Sequence, residues 1–459
     1  MSVVETQVQA QALETYPCPL LDTRFSILKQ SIIKPEDKAR VINSYQRLTI
    51  ALEKNANLIA KRGPQAIPEI DFADVQSNDG SFPTGFKSIV KQTGCVIIRG
   101  VVSEEQASSW EDELRSYTKN HRVAGFPKDD PQNFSLFWTR PQVQIRSHPN
   151  VMKAMKAVGQ LWHISQDDQL FDLESQVVYA DRFRIRHPTT DAEYTLPAHQ
   201  DSGAIERWED PEYRACYQKI FEGRWEEYDP WCADHRSDAK TSLYSLAKSC
   251  SAFRAMQGWM SLSHTNTGEG TLRLVPELKC ATAYQMLRPY FVLDERFNDT
   301  APLFPGANPG NLQFFPTTKL HPHLLLEKSM VGIPPVKPGD YVFWHCDLVH
   351  EVDRFHPGTR DSSVSYNGCV PLCPYNLENL LRLRQSFLDV MPPKDFNGIE
   401  HGELERDHKD HGARRENILS VEGLRALGFE PFDAEEGGIT EGQREMRRLA
   451  NRKLGFESA

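Results

Sequence analysis

An α+β fold is predicted: a central antiparallel β-sandwich framed by helical extensions at both ends. Three observations predict it. Short alternating or apolar runs cluster between residues 176 and 370. Gly- and Pro-bearing turns, not regular helices, separate those runs, which disfavours βαβ units. Helical periodicity dominates the flanks.

Residues 1–30 read as an arm laid on the surface. From Pro35 to Arg62 the apolar positions Val41, Ile42, Tyr45, Leu48, Leu52 and Ile59 recur at helical spacing, and Gly63-Pro64 stops them. The run Gly94–Gly100 is apolar between glycines and reads as a buried strand. Ser103 with Gln106 three residues later marks a helix start, followed by Ala107, Trp110 and Leu114 on one face. Gln176–Arg186 alternates, with Tyr179, Phe183 and Ile185 on one side and Arg182, Arg184 and Arg186 on the other. Further strands are expected at Gly258–His264, Gly270–Pro276, Pro338–His345 and Ser362–Val370. Beyond residue 376, Leu377, Leu380, Leu381 and Leu383 return to helical spacing, and a charged run over 398–416 reads as solvated. The expected division is 1–80 (arm and packing helix), 81–376 (core) and 377–459 (C-terminal helical extension).

The chain has 459 residues, 39 % of them apolar, enough for one large core or two ordinary ones. A net charge of −10 argues against a nucleic-acid binder that relies on a basic surface. No run approaches the roughly 18 uncharged apolar residues that a membrane span needs. The first twenty residues lack a basic start, an apolar stretch and a small-residue cleavage site, so a cytoplasmic location is the default expectation. Nine scattered cysteines fit thiols in a reducing compartment better than a disulfide framework.

On a strand, residues i and i+2 share a face, so His199-Gln-Asp201 can aim an imidazole and a carboxylate at one point. One further histidine completes a facial triad that leaves three metal positions open. A His-x-acid triplet alone is weak, because 15 His and 63 acidic residues give about two by chance. Four occur: His199/Asp201, His345/Asp347, His401/Glu403 and His408/Asp410. The last two lie in the charged run with no strand behind them. His345/Asp347 has its next histidines only five and eleven residues on, too near to come from another strand. His199 alone has a separate histidine cluster, at His345, His350 and His356, of which His350 at the far end of its strand is favoured. Downstream, Arg360 and Ser362 share a strand face and can hold a carboxylate, the arginine through two parallel charge-assisted hydrogen bonds.

The order of these motifs (H-x-D, G-x-L-R-x-V-P, G-D-Y-V-F-W-H-x-x-x-x-H, then R-x-S) resembles the phytanoyl-CoA dioxygenase-like oxygenases. More closely it is similar to their DUF1479 (YbiU-like) branch, through Gly94–Val102, Phe137–Arg140, His199–Asp201, Gly270–Pro276, Pro338–Asp353 and Arg360–Val364. The resemblance covers about residues 80 to 375. It implies a double-stranded β-helix (jelly-roll, cupin-like) core, Fe(II) on His199, Asp201 and His350, and 2-oxoglutarate held by Arg360 and Ser362.

The implied reaction is an O2-dependent oxidation coupled to conversion of 2-oxoglutarate into succinate and CO2, in which the protein aims the substrate carbon and excludes water. Related halogenases carry Gly or Ala in place of the carboxylate ligand, so Asp201 favours hydroxylation, desaturation or ring chemistry, with hydroxylation the default. A small-molecule substrate is expected, with no nucleic acid and no membrane. If Arg182, Arg184, Arg186 or Arg273 faces the cavity, an acidic substrate is favoured. Trp138, Trp259 and Trp344 read as core aromatics. The rival reading is a non-catalytic or co-substrate-independent cupin-like metal-binding protein, which an Arg360 directed away from the metal would favour. Amphipathic faces in the extensions allow a homodimer.

Overall fold

The structure, a computed structural model, describes residues 18–190, 196–244, 249–292, 295–396 and 402–457. Among the described residues, thirteen strands fall into three sheets: β1 (Glu69–Asp71), β2 (Cys95–Arg99), β3 (Gly125–Phe126), β4 (Asn133–Phe134), β5 (Asp172–Gln176), β6 (Phe183–Arg186), β7 (Met256–Ser261), β8 (Leu272–Leu274), β9 (Val331–Gly332), β10 (Tyr341–His345), β11 (His350–Val352), β12 (Ser362–Tyr366) and β13 (Pro371–Leu372). The large sheet runs β1-β2-β10-β7-β12-β6-β4-β3, a small one runs β11-β8-β9, and β13 pairs with β5. Every pairing is antiparallel except β1 with β2. The chain is thus a mixed α/β protein with one large sheet and flanking helices.

The apolar runs explain the centre of the large sheet. β2, β7 and β10 are almost wholly buried, as expected for strands covered on both faces. Gly258 is required where β7 meets β10: a Cβ there would lie 2.8 Å from the Phe343 ring. The predicted strand 176–186 is two separate strands, β5 and β6, joined by irregular backbone. The predicted strand 362–370 likewise ends at Tyr366, with β13 a separate pair.

At the N-terminal end the helix Lys38–Arg62 buries Val41, Tyr45, Leu48, Leu52 and Ile59 of the expected stripe, with Ala56 added and Ile42 only half-buried. The surface-arm expectation fails for Arg24–Ile32. That segment is a helix burying Phe25, Lys29 and Ile32, and Lys29 donates to the carbonyls of Pro289 and Ala301. Residues 1–17 of the expected arm lie outside the described residues. Ser103 caps the helix Glu104–Asn120 by accepting from the Gln106 amide.

The C-terminal helix Pro374–Asp389 forms as predicted. Within the charged run, residues 402–416 are mostly exposed, as expected, but individual side chains turn inward. Glu405 and His408 are buried, and the Glu405 carboxylate accepts the amides of Phe137 and Trp138 at 2.8 and 2.9 Å. Both amides lie in the irregular segment between β4 and the helix Arg140–Ser147, and this buried carboxylate is their acceptor. Residues 398–401 lie outside the described residues.

Candidate metal centre

His199 and His350 are brought together by backbone pairing. The His199 amide donates to the His350 carbonyl at 2.9 Å, and the His350 amide returns a bond to His199 at 3.0 Å. This isolated bridge extends the small sheet beyond β11, so both side chains emerge on one face with ring centroids 4.0 Å apart. Alternation does the rest. Gln200 turns to the opposite side, where it donates to Gln285 at 2.7 Å and to the Asp347 carbonyl. Asp201 returns to the histidine side, its Oδ1 3.7 Å from His199 Nε2 and its Oδ2 3.9 Å from His350 Nε2. After Asp201 the chain leaves through Ser202 and Gly203, both with positive φ. A Cβ on Gly203 would lie 2.6 Å from the Thr241 carbonyl oxygen, so this sharp exit requires glycine.

Each histidine is oriented by a carbonyl. His199 Nδ1 lies 2.8 Å from Pro197 O, and His350 Nδ1 lies 3.0 Å from Leu348 O. A carbonyl only accepts, so Nδ1 carries the proton and the Nε2 lone pair faces Asp201. Burial lowers the pKa of His199, and burial with the neighbouring His199 pushes His350 down to about 3, so both rings are neutral at physiological pH. Burial alone would raise Asp201. The facing His199, Arg254 and His350, with a hydrogen bond from Gln313, outweigh it and hold the carboxyl well below the usual range. Two neutral imidazoles and a carboxylate on one face are the donor set of an open first-row metal site.

Outer contacts fix these ligands. Gln313 donates to Asp201 Oδ1 at 2.5 Å, and Arg254 lies 3.5 Å from Oδ2. Arg207 donates to the Asp201 carbonyl at 2.8 Å and to Asp347 Oδ1 at 2.6 Å. Arg236 holds Asp347 Oδ2 at 2.5 Å. Asp347 precedes His350 by three residues, so the segments that carry Asp201 and His350 hang on one buried carboxylate. The arginines keep Asp347 ionised in spite of burial.

The triad opens into a cavity of about 230 Å³ between the large and small sheets. Arg184, Trp259, Trp344 and Tyr366 line it from the large sheet, and Leu272, His350 and Val352 from the small one. Arg182 and Arg254 also reach it. Arg184 gives Nη2 to the Gly270 carbonyl at 3.3 Å, while its Nε is buried without a partner.

Among the expected residues, His199, Asp201 and His350 converge. Arg360 does not join them. It is exposed in the turn before β12 and is not part of the cavity wall, because the strand begins at Ser362 and the assumed shared face does not extend back to Arg360. Ser362 is buried opposite Arg186, its hydroxyl unpartnered. His345 lies on the face of β10 opposite Trp344 and stacks on Trp162 at 4.6 Å, and buried His356 pairs with Thr189. Arg186 binds the carbonyls of Gly270, Asp353 and Arg354, and Arg273 pairs with Glu351, so both are structural. Trp138 is core, whereas Trp259 and Trp344 face the cavity. Sequence reasoning missed Arg254, Gln313 and Arg207, which lie in no motif.

Comparison with known proteins agrees over most of the chain. The Gig2-like family model matches residues 19–429. YbiU of Escherichia coli K12 is 30 % identical over 389 residues, 82 % of this chain and 88 % of YbiU. The crystal structure of GlcNAc Inducible Gene 2, GIG2 (DUF1479), from Candida albicans shares 38 % identity with a TM-score of 0.87, covering 96 % of each chain. A Salmonella typhimurium LT2 protein of known structure shares 28 % identity with a TM-score of 0.76, over 88 % of this chain and 96 % of that one. The chain therefore belongs to the Gig2-like (DUF1479) family.

Proposed function

We propose that the protein is an Fe(II)- and 2-oxoglutarate-dependent oxygenase of the phytanoyl-CoA dioxygenase-like group, with a double-stranded β-helix core within residues 81–376, that hydroxylates a small carboxylate-bearing molecule. The observation that carries this reading is the convergence of His199, Asp201 and His350 on one point at the wall of a buried cavity. Iron bound there with 2-oxoglutarate and O2 supplies C–H oxidation, with succinate and CO2 released.

The chain's own residues do the rest. His199 and His350 present neutral Nε2 donors because Pro197 and Leu348 carbonyls hold their Nδ1 protons. Gln313 and Arg254 restrain the Asp201 carboxylate. Arg184, with its unpartnered Nε on the cavity wall, takes the role of carboxylate anchor that the sequence suggested for Arg360. Arg182 gives a second cation for an acidic substrate, and Trp259 and Trp344 give it apolar walls that exclude water. The Salmonella relative has been assigned, provisionally, to the oxidoreductases, which supports the same reaction class.

The exposed position of Arg360 favours one rival, a metalloprotein that does not use 2-oxoglutarate. Aerobic incubation of the iron-loaded protein with 2-oxoglutarate, followed by NMR for succinate, separates the two. Succinate formation that His350→Ala abolishes is expected. Iron retained with no succinate formed, with or without a panel of small carboxylic acids, would favour the rival.

A further inference from the structure

Two His-x-acid triplets in the charged run, His401/Glu403 and His408/Asp410, have no part in the iron centre, and His401 lies outside the described residues. The fold carries the other three residues to the end of the helix Glu104–Asn120, against His121. The His121 and His408 rings stack at 3.8 Å. Glu403 Oε2 lies 3.3 Å from His408 Nε2, and the Asp410 carboxylate lies 2.8 and 3.0 Å from His121 Nε2. Donor atoms of His121, Glu403 and His408 all fall within 4.8 Å of one another at the wall of a cleft of about 750 Å³.

Ion pairing alone does not account for this arrangement. Exposed pairs contribute roughly 0–1 kcal/mol. Yet His408 is only 5 % exposed, and its Nε2 is buried with no hydrogen-bond partner, out of line with Glu403. Its Nδ1 is engaged by the Tyr117 hydroxyl at 2.6 Å. A buried ring nitrogen whose opposite nitrogen is fixed by an outer partner is how ligating histidines are held. Two imidazoles and two carboxylates also balance a divalent charge.

We infer that His121, Glu403 and His408 form a second metal site, suited to Zn2+, with Asp410 as fourth ligand or as orienter of His121. Nitrogen and oxygen donors are of the types that zinc takes, and a small rotation of the stacked rings would turn both toward one ion. The ion joins the C-terminal segment to the helix Glu104–Asn120. Its role is therefore structural, and it is separate from the iron centre.

The test uses the full chain carrying His199→Ala and His350→Ala, which disables the iron centre, stripped with chelator and titrated with Zn2+ by calorimetry. About one equivalent should still bind and raise the melting temperature. Adding Glu403→Gln, at a half-exposed position whose amide oxygen can still accept the Arg122 amide, should weaken binding at least tenfold, with the circular dichroism of the apo form unchanged. Tyr117→Phe should weaken it by roughly 10–100-fold, the usual cost of losing an outer partner. No zinc bound to the double variant would overturn the site, as would affinity unchanged by Glu403→Gln combined with His121→Gln.

Discussion

His199 and His350, 151 positions apart in sequence, face each other across a two-residue antiparallel bridge whose amide–carbonyl bonds measure 2.9 and 3.0 Å. Their approach is set by main chain, and the carbonyls of Pro197 and Leu348 set their ring orientation. The candidate metal site is therefore preorganised by backbone, with side chains tuning it from outside.

Removing one ligand should accordingly abolish tight binding without unfolding the protein. Asp201→Ala is expected to lower Fe(II) affinity by more than the roughly 10–100-fold that loss of an outer partner costs. Equilibrium dialysis measures the loss, with an unchanged circular dichroism spectrum as control.

Asp347 tests the support beneath the ligands. Asp347→Ala strands the fully buried cations of Arg207 and Arg236. Breaking a buried pair in this way costs about 3–5 kcal/mol, enough to threaten a domain of ordinary stability. Urea unfolding of Asp347→Ala and Asp347→Asn should show a large drop for the first and a smaller one for the second.

Arg184 and Arg360 make opposite predictions. If Arg184 anchors the co-substrate, Arg184→Ala should raise the KM for 2-oxoglutarate by about 10–150-fold, the equivalent of 1.5–3 kcal/mol for a charge-assisted hydrogen bond. Arg360→Ala should change it less than twofold. The reverse pattern would return the role to Arg360.

Acid stability follows from buried histidines. Burial pushes His321 down to about 3 and His345 down to about 4. Both folded values lie below the usual unfolded value of about 6.5. Their contribution is thus complete above that pH and is lost as pH falls toward 4 and then 3. Glu405 has the opposite sign: burial pushes it up to about 7, so its contribution is complete below about 4.5 and lost as pH rises through 7. His199 and His350 are pushed down as well, while Glu206, Glu277 and Asp353 are pushed up like Glu405. Only the histidines lose stability over the whole range below pH 6.5, and a net fall on acidification from pH 6.5 to 4.5 is expected. Urea midpoints across that range check it, and His321→Phe should flatten the slope by up to about 1.4 kcal/mol per pH unit.

The sequence made the triad legible because it depends on local rules. Period-2 alternation puts His199 and Asp201 together; His350, expected at the far end of the β10 strand, instead opens β11 in the small sheet. Within β6 the same alternation separates Arg184 and Arg186 from Phe183 and Ile185, but Tyr179 lies before that strand and lines the cavity with Arg184, and Arg186 is spent on three carbonyls. Arg360 was misplaced because face-sharing was extended past the start of β12 into a turn. Arg254, Gln313 and Arg207 reach Asp201 through tertiary packing, which leaves no spacing signature. The charged run looked solvated because charge patterning cannot register that Glu405 caps two buried amides.

The most direct test of the central claim is anaerobic titration of the apoprotein with Fe(II) and then 2-oxoglutarate, monitored by visible absorption. The account predicts a weak metal-to-ligand charge-transfer band that appears only when both are present and is absent in His199→Ala. Iron bound with no such band would contradict it.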